Sequence, residues 1–206
     1  TPEGLFEKNG QDFSKTASKA ESSAVKYDPA KAKELWTEGL KEVGQSAPTL
    51  ELLTDDTTNA KRSAEYFQST LQQNLPGLKV TIATVPLKTR LSRSQNGQFD
   101  MVISAWSADF PDAISFLDLF TSDNSYNDGK WSNAEYDALI KQSKTTDATN
   151  ATARWNTLLK AQELLTKEQG VVPLYQRVQT TLQHKTITGL NYNPTNSYNF
   201  VNAKVK

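Results

Sequence analysis

The sequence predicts an α/β fold, a mixed β-sheet flanked by helices, on three observations. Stretches whose apolar residues recur every three or four positions take turns with stretches that alternate every second position. A run of consecutive apolar residues, Met101-Val102-Ile103, reads as a strand covered on both faces, the central strand of a sheet with helices on each side. Capping residues and stop signals fall between these stretches, where a helix must begin or end.

Residues 1–27 are polar, with isolated aromatics and no sustained period, and are expected to form an N-terminal arm lying on another surface. Order begins at Asp28-Pro29, a capping residue followed by proline at the first helical position, where its missing N–H costs nothing. Ala32, Leu35, Trp36, Leu40 and Val43 then share one helical face, and Gly44 ends the helix. Leu50 and Leu52 alternate with polar neighbours, as in a half-buried strand. A second amphipathic helix over 59–75 carries Ala60, Ala64, Phe67, Leu71 and Leu75 and stops at Pro76-Gly77. Leu78, Val80 and Ile82 lie on one face of the next strand.

A basic helical link holding Arg90 and Arg93 leads into the third strand, FDMVISAW, at 99–106. Beyond it come a short helix with Ile114, Phe116, Leu117 and Phe120, one over 132–142, and one over 151–168. In the last, Trp155, Leu158, Leu159 and Leu165 form the stripe and Gly170 the stop. VVPLY and TTLQH read as a final pair of short strands, the first demoted to an edge or a bulge by Pro173. The expected lobe spans 28–190. The Asn- and Tyr-rich tail, 191–206, is expected to pack on that lobe or on a neighbouring one.

Composition excludes more than it assigns. The 206 residues suffice for one core, and one domain is expected. Basic and acidic residues balance, 23 against 23, so no field favours a phosphate backbone, and nucleic acid is not an expected partner. The absence of cysteine removes disulfides, thiolate metal sites and cysteine nucleophiles together. No stretch approaches the roughly 20 apolar residues that span a bilayer. The chain begins at Thr1 without an initiator methionine and reads as a processed product or an excised piece, so the missing signal peptide says nothing about where the parent protein resides.

The chemistry-bearing residues point away from catalysis. The single histidine, His184, reads as a surface residue, and no Gly-x-Ser-x-Gly elbow accompanies it. One histidine and no cysteine leave only carboxylates for a metal. The stretch from Asp123 to Trp131 lacks the ligand alternation and closing glutamate of a calcium loop, and Asn127-Asp128-Gly129 reads as a turn. No glycine-rich phosphate loop occurs, and no cofactor is expected. Asp109 and Asp112 suggest the carboxylate pair of a glycosidase, but their spacing across a proline does not fix the separation that reaction needs. Asp112 reads as a helix cap. Asp109 reads either as a turn aspartate or as a fixed anion at a strand's end, in open α/β sheets the place where ligands collect. Trp106 and Phe110 are either core residues or, beside that carboxylate, part of a receptor for an ammonium group held by a charge-assisted hydrogen bond of roughly 1.5 to 3 kcal/mol. A carbohydrate-binding protein using Trp106, Trp131 and the tail is the alternative from another class.

Five blocks carry a resemblance: YDPAKAKELW (27–36), FDMVISAWSADFPDAISFLDLFTSD (99–123), KWSNAEYDALI (130–140), VVPLYQR (171–177) and the closing GLNYNPTNSYNF. In this order and spacing the chain resembles the oligopeptide-binding proteins of bacterial ABC importers, family 5 extracellular solute-binding proteins, particularly the lipoproteins of Gram-positive bacteria. The resemblance implies one lobe of a two-lobed, periplasmic-binding-protein-like (class II) fold, the C-terminal lobe of a longer receptor whose N-terminal lobe is absent. It implies a non-enzymatic, extracytoplasmic lipoprotein that closes on an extended oligopeptide and delivers it to ABC permease subunits, holding the peptide main chain by strand-like hydrogen bonds.

The family's ammonium-binding aspartate, in the block Trp-x-Ala-Asp-Tyr/Phe, corresponds to Asp109, with Trp106, Ser107, Ala108 and Phe110 around it. Many relatives read Asp-Tyr-Pro-Asp-Pro where this chain has Asp109-Phe110-Pro111-Asp112-Ala113, so a tyrosine hydroxyl and a proline are lost and the carboxylate is kept. Arg90 and Arg93 are candidates, by charge alone, for the peptide's C-terminal carboxylate, and Tyr126 and Asn127 are further candidate ligand-binding residues.

Overall fold

The computed structural model describes residues 1–21, 26–178, 180–193, 195 and 197–206. These fall into two units, one of residues 1–21 with 106 onward and one of Lys26–Ala105. Residues 22–25 of the expected arm and 194 and 196 of the expected tail lie outside the described residues.

The start of the first unit is folded where a loop was expected. Strands β1 (Glu7–Lys8) and β2 (Gln11–Asp12) pair antiparallel across Asn9-Gly10, whose φ angles of 50° and 73° are those a two-residue hairpin turn requires. Helix α1 (Phe13–Glu21) follows, its first turn held by Asp12, whose Oδ1 accepts from the Lys15 N–H at 2.8 Å. Phe13 is fully buried, with Trp155 edge-on at 5.1 Å between ring centroids and Phe6 against both. The isolated aromatics of this stretch are core residues, too sparse to set up a period.

The second unit is a compact α/β element: α2 (Pro29–Glu42), β3 (Thr49–Asp55), α3 (Thr58–Asn74), β4 (Lys79–Val85), α4 (Leu87–Gln95) and β5 (Met101–Val102). Asp28 caps α2 as its sequence implies, accepting from the Lys31 N–H at 2.9 Å with Pro29 in the first turn. Gly77, at φ +82°, lets the chain turn from α3 into β4 so closely that a Cβ there would meet the Ser46 carbonyl oxygen at 2.4 Å.

The sheet of this unit has the order β4-β3-β5 and is parallel throughout, with Leu52 opposite Ile82 on one side and Met101 on the other. Leu52 and Val80 pack with Ala64, Phe67 and Leu71 of α3 and with Trp36 of α2. The outer edge of β4 is covered by α3: Gln72 Oε1 accepts from the Val80 N–H and Gln68 Nε2 donates to the Val80 carbonyl, both at 2.8 Å.

Two expectations need correction here. The sheet is not mixed, because the antiparallel pairs form separate ribbons in the first unit. The strand foreseen over 99–106 is Met101–Val102 alone and lies at the sheet's edge, with β3 central. Its apolar run reports cover rather than strand neighbours: Met101 and Ile103 pack on the cluster around Leu52, and covered faces do not require a strand on each side.

The remainder of the first unit is helical, then ribbon-like. Helix α5 (Ile114–Leu117) runs into a 3₁₀ turn (Asp118–Phe120), followed by α6 (Ala134–Lys144) and α7 (Ala151–Lys167). Asn133 and Asn150 cap the two long helices, each accepting from two backbone N–H groups. Their facing sides bury Tyr136, Ile140, Trp155, Leu158, Ala161 and Leu165 over Ile114 and Leu117 of α5. The Tyr136 hydroxyl donates to the Leu117 carbonyl, and burial pushes its phenol pKa well up.

The chain then gives two antiparallel ribbons, β6 (Ile187–Thr188) with β9 (Lys204–Val205) and β7 (Asn191–Asn193) with β8 (Ser197–Asn199). The two strands expected from VVPLY and TTLQH do not form: the described residues of 171–184 carry no regular structure, Val172, Leu174 and Val178 are exposed, and Leu182 is entirely so. Their β-like composition finds no strand to pair with among the described residues, and Pro173 has no N–H to offer a ladder.

Candidate functional site

The site is built on residues 106–112, ahead of α5. Burial alternates along it, with Trp106 half-buried, Ser107 exposed, Ala108 buried and Asp109 exposed. Ser107 and Asp109 are thus both exposed, on a stretch without regular secondary structure that bends at Asp109. Among the described residues, the backbone N–H and C=O groups from Trp106 to Asp109 have no hydrogen-bond partner. The free stretch ends at Phe110, whose carbonyl accepts from the Asp112 N–H at 2.8 Å and from Ser115 Oγ at 2.9 Å.

The two aspartates of this stretch differ completely. Asp112 Oδ1 accepts from the Ile114 N–H at 2.9 Å and so caps α5, while its two oxygens take Nη2 and Nη1 of Arg154 at 3.0 and 2.7 Å. Arg154 is pinned in turn by its Nε, which donates to the Ser143 carbonyl at 3.2 Å. Asp112 is thus a cap, as its place before a helix implied; its cation comes from α7, too far along the chain for any local signal. Asp109 has neither a hydrogen bond nor an ion pair among the described residues. A two-carboxylate catalytic centre therefore has only one free member in this stretch.

In sequence, Trp106 and Phe110 lie on either side of the free carboxylate. Trp106 meets Tyr126 with ring centroids 4.8 Å apart and planes at 62°. Tyr126 is 52% exposed and Phe110 is 49% exposed, so neither is a core residue. Tyr126 is presented by a braced loop: its N–H donates to Asn124 Oδ1 at 2.9 Å, and Asn124 Nδ2 donates to the Asp118 carbonyl at 2.8 Å. Asn127, 2% exposed, spans the loop from inside, its Nδ2 donating to the Thr121 and Trp131 carbonyls at 3.2 and 2.7 Å. The Asn127 side chain braces the loop that holds Tyr126. The Trp106–Tyr126 contact was not foreseen, because nothing in the sequence links residues 20 apart across a helix and a loop.

The remaining candidates lie elsewhere. Arg90 and Arg93 belong to the second unit, where β3 occupies both. Arg90, 4% exposed, has Nε on Asp55 Oδ1 at 3.1 Å and Nη1 on Ser104 Oγ at 3.2 Å. Arg93 Nη2 holds Glu51 Oε1 at 2.5 Å, and its guanidinium also donates to the Gln98 carbonyl. Glu51 and Asp55 lie on one face of β3, so the two pairs fasten α4 to the sheet. Trp131 of the carbohydrate alternative packs against buried Tyr136 at 5.0 Å. His184 Nδ1 is within 2.8 Å of Thr186 Oγ1 on the surface. Among the described residues no three acidic or histidine side chains converge as metal ligands.

The family described as bacterial extracellular solute-binding proteins, family 5 Middle, matches residues 4–128. The chain is 40% identical over its whole length to a dipeptide-binding protein of Lactococcus lactis, of which it covers 38%. Among solved structures it resembles the substrate-binding domain of an oligopeptide ABC transporter from Bacillus anthracis, with 34% identity, a TM-score of 0.86, and 99% of this chain and 39% of that one covered. It also resembles Listeria monocytogenes OppA bound to peptide, with 35% identity, a TM-score of 0.83, and 100% of this chain and 38% of that one covered. The chain spans about two fifths of the length of these relatives.

Proposed function

The chain belongs to the bacterial extracellular solute-binding proteins of family 5, and on that premise we propose that it forms the C-terminal lobe of a peptide receptor that hands oligopeptides to the membrane permease of an ABC importer. The family is one of binding proteins.

One observation carries the reading: among the described residues Asp109 is exposed and unpaired, on a segment without regular secondary structure whose backbone groups from Trp106 to Asp109 are also unpaired, while its neighbour Asp112 is fully engaged. An unpaired carboxylate at the end of a stretch of free backbone fits the N-terminal end of an extended peptide, the anion taking the α-ammonium group and the segment's N–H and C=O groups taking its main chain. Main-chain recognition of this kind tolerates many sequences. The other wall of the cleft comes from the N-terminal lobe of the same receptor, and a lipid anchor ahead of that lobe holds the receptor at the cell surface.

Titration calorimetry of the intact receptor and its Asp109→Asn variant with an unmodified pentapeptide tests the proposal. Loss of one charged hydrogen bond weakens binding by about tenfold or more. Equal affinity in the two proteins would overturn the assignment of Asp109.

A further inference from the structure

We propose that Asn9-Gly10, the tip of the β1–β2 hairpin, is a site of spontaneous chemical modification at which the Asn9 side-chain amide is lost as ammonia and becomes a carboxylate, while Asn96-Gly97 in the second unit is spared. The site lies outside the ligand-binding segment and is independent of what that segment holds.

The chemistry needs only water and the chain itself. The Gly10 main-chain nitrogen, once hydroxide has taken its proton, attacks Asn9 Cγ. The new N–Cγ bond forms as Cγ–Nδ2 breaks, and Nδ2 leaves as ammonia with a proton taken from water. Water then opens the cyclic imide that remains, giving aspartate where the N–Cγ bond is cut and isoaspartate where the bond to the Asn9 main-chain carbonyl is cut. Nothing is oxidised or reduced: an amide and water become a carboxylate and ammonia.

Hydrogen bonding separates the two Asn-Gly pairs, because exposure does not. Asn9, Gly10, Asn96 and Gly97 are all exposed, and the glycine of each pair leaves the attacking nitrogen without a Cβ beside it. Asn96 closes α4: its Nδ2 donates to the Ser92 carbonyl at 2.8 Å, and the Gly97 N–H donates to the Ser94 carbonyl at 3.0 Å. Both reacting groups are held, and attack requires both bonds to open. Among the described residues neither the Asn9 side chain nor the Gly10 N–H has a hydrogen-bond partner. The ribbon beneath them is only two residue pairs long, Glu7 with Asp12 and Lys8 with Gln11. So short a hairpin opens locally at little cost, which lets the Asn9 torsions turn toward the attacking geometry.

The products bear on the core of the first unit. Isoaspartate adds one atom to the backbone of a turn whose register depends on its having two ordinary residues. Phe6 lies just before β1, its carbonyl accepting from the Phe13 N–H at 2.9 Å and its ring set against Phe13 and Trp155. A hairpin that loses register therefore loosens Phe6.

Peptide mass spectrometry of the intact receptor, aged at mildly alkaline pH either folded or unfolded in guanidinium, tests the proposal. In the folded receptor Asn9 should convert about thirtyfold faster than Asn96, the factor that two net hydrogen bonds are worth, with isoaspartate among the products. In the unfolded receptor the two residues should convert at similar rates. An Asn9 that stays intact in the folded receptor, or an Asn96 that converts as fast, would overturn the proposal. So would a difference that persists on unfolding, because sequence neighbours and not hydrogen bonds would then set it.

Discussion

Arg154 grips both oxygens of Asp112, at 2.7 and 3.0 Å, and thereby separates two aspartates that look alike in sequence. Asp112 belongs to the scaffold, as a cap on α5 tied to α7, and Asp109 has no such tie among the described residues. The division between structure and function in this stretch runs between residues three apart.

That division predicts opposite mutational signatures. Arg154→Ala leaves the Asp112 carboxylate partly buried, at 17% side-chain exposure, without its cation. With a discount for solvent access, the cost is about 2 kcal/mol, a fall of roughly 4 to 8 °C in the melting temperature. Asp109→Asn, on an exposed and unpaired side chain, should leave the melting temperature within about 1 °C. Thermal unfolding followed by circular dichroism separates the two, and a large destabilisation by Asp109→Asn would mean that the carboxylate has a structural partner.

The loop that presents Tyr126 depends on Asn127. Asn127→Asp replaces a donor shared by the Thr121 and Trp131 carbonyls with an anion facing them, and should destabilise the protein by about 3 kcal/mol. Asn127→Ala, which only removes the bonds, should cost less. Urea unfolding of both variants checks the order, and equal costs would show that the side chain fills space rather than bonding.

Tyr136 supplies a pH dependence. Its folded pKa lies above that of the unfolded chain because burial disfavours the phenolate, with Asp118 and Asp137 adding to the shift. Its share of stability is therefore fully present below the unfolded value of about 10 and is lost as pH rises above it, because the unfolded state then releases a proton that the folded state keeps. Chemical denaturation between about pH 8 and 11 should show a steeper fall in wild type than in Tyr136→Phe. Parallel curves would mean that the phenol ionises in place.

Gly77→Ala should weaken the second unit. The new methyl meets the Ser46 carbonyl oxygen, part of the backbone, at 2.4 Å, and the φ of +82° is itself unfavourable to alanine. A loss of about 2 kcal/mol is expected, read as faster hydrogen exchange of the β4 amides. Unchanged protection there would contradict the close approach.

Much of this architecture is legible in the sequence because local rules act locally. Asp28-Pro29 caps α2, Leu50 and Leu52 lie in β3, and the turn at Pro76-Gly77 separates α3 from β4. What escaped the sequence depends on partners distant along the chain. The Phe6–Phe13–Trp155 cluster turns apparent loop residues into core, and the Asn9-Gly10 turn joins strands of only two residues, too short to show an alternating pattern. The stretch 171–184 has strand-like composition, but a strand exists only where another strand pairs with it. At the site, the block around Asp109 was legible as a motif, whereas its freedom from partners and the occupation of Arg90 and Arg93 by β3 carboxylates required the fold.

The central claim is that Asp109 holds a peptide's ammonium group. Its most direct test is calorimetric titration of the intact receptor with a mixed-sequence pentapeptide and with the same peptide acetylated at its N-terminus. Tight binding of the free peptide alone, with acetylation costing about tenfold or more, is the predicted result. Equal binding of the two would contradict it, reducing Asp109 to an exposed turn residue and moving the ligand's anchor elsewhere.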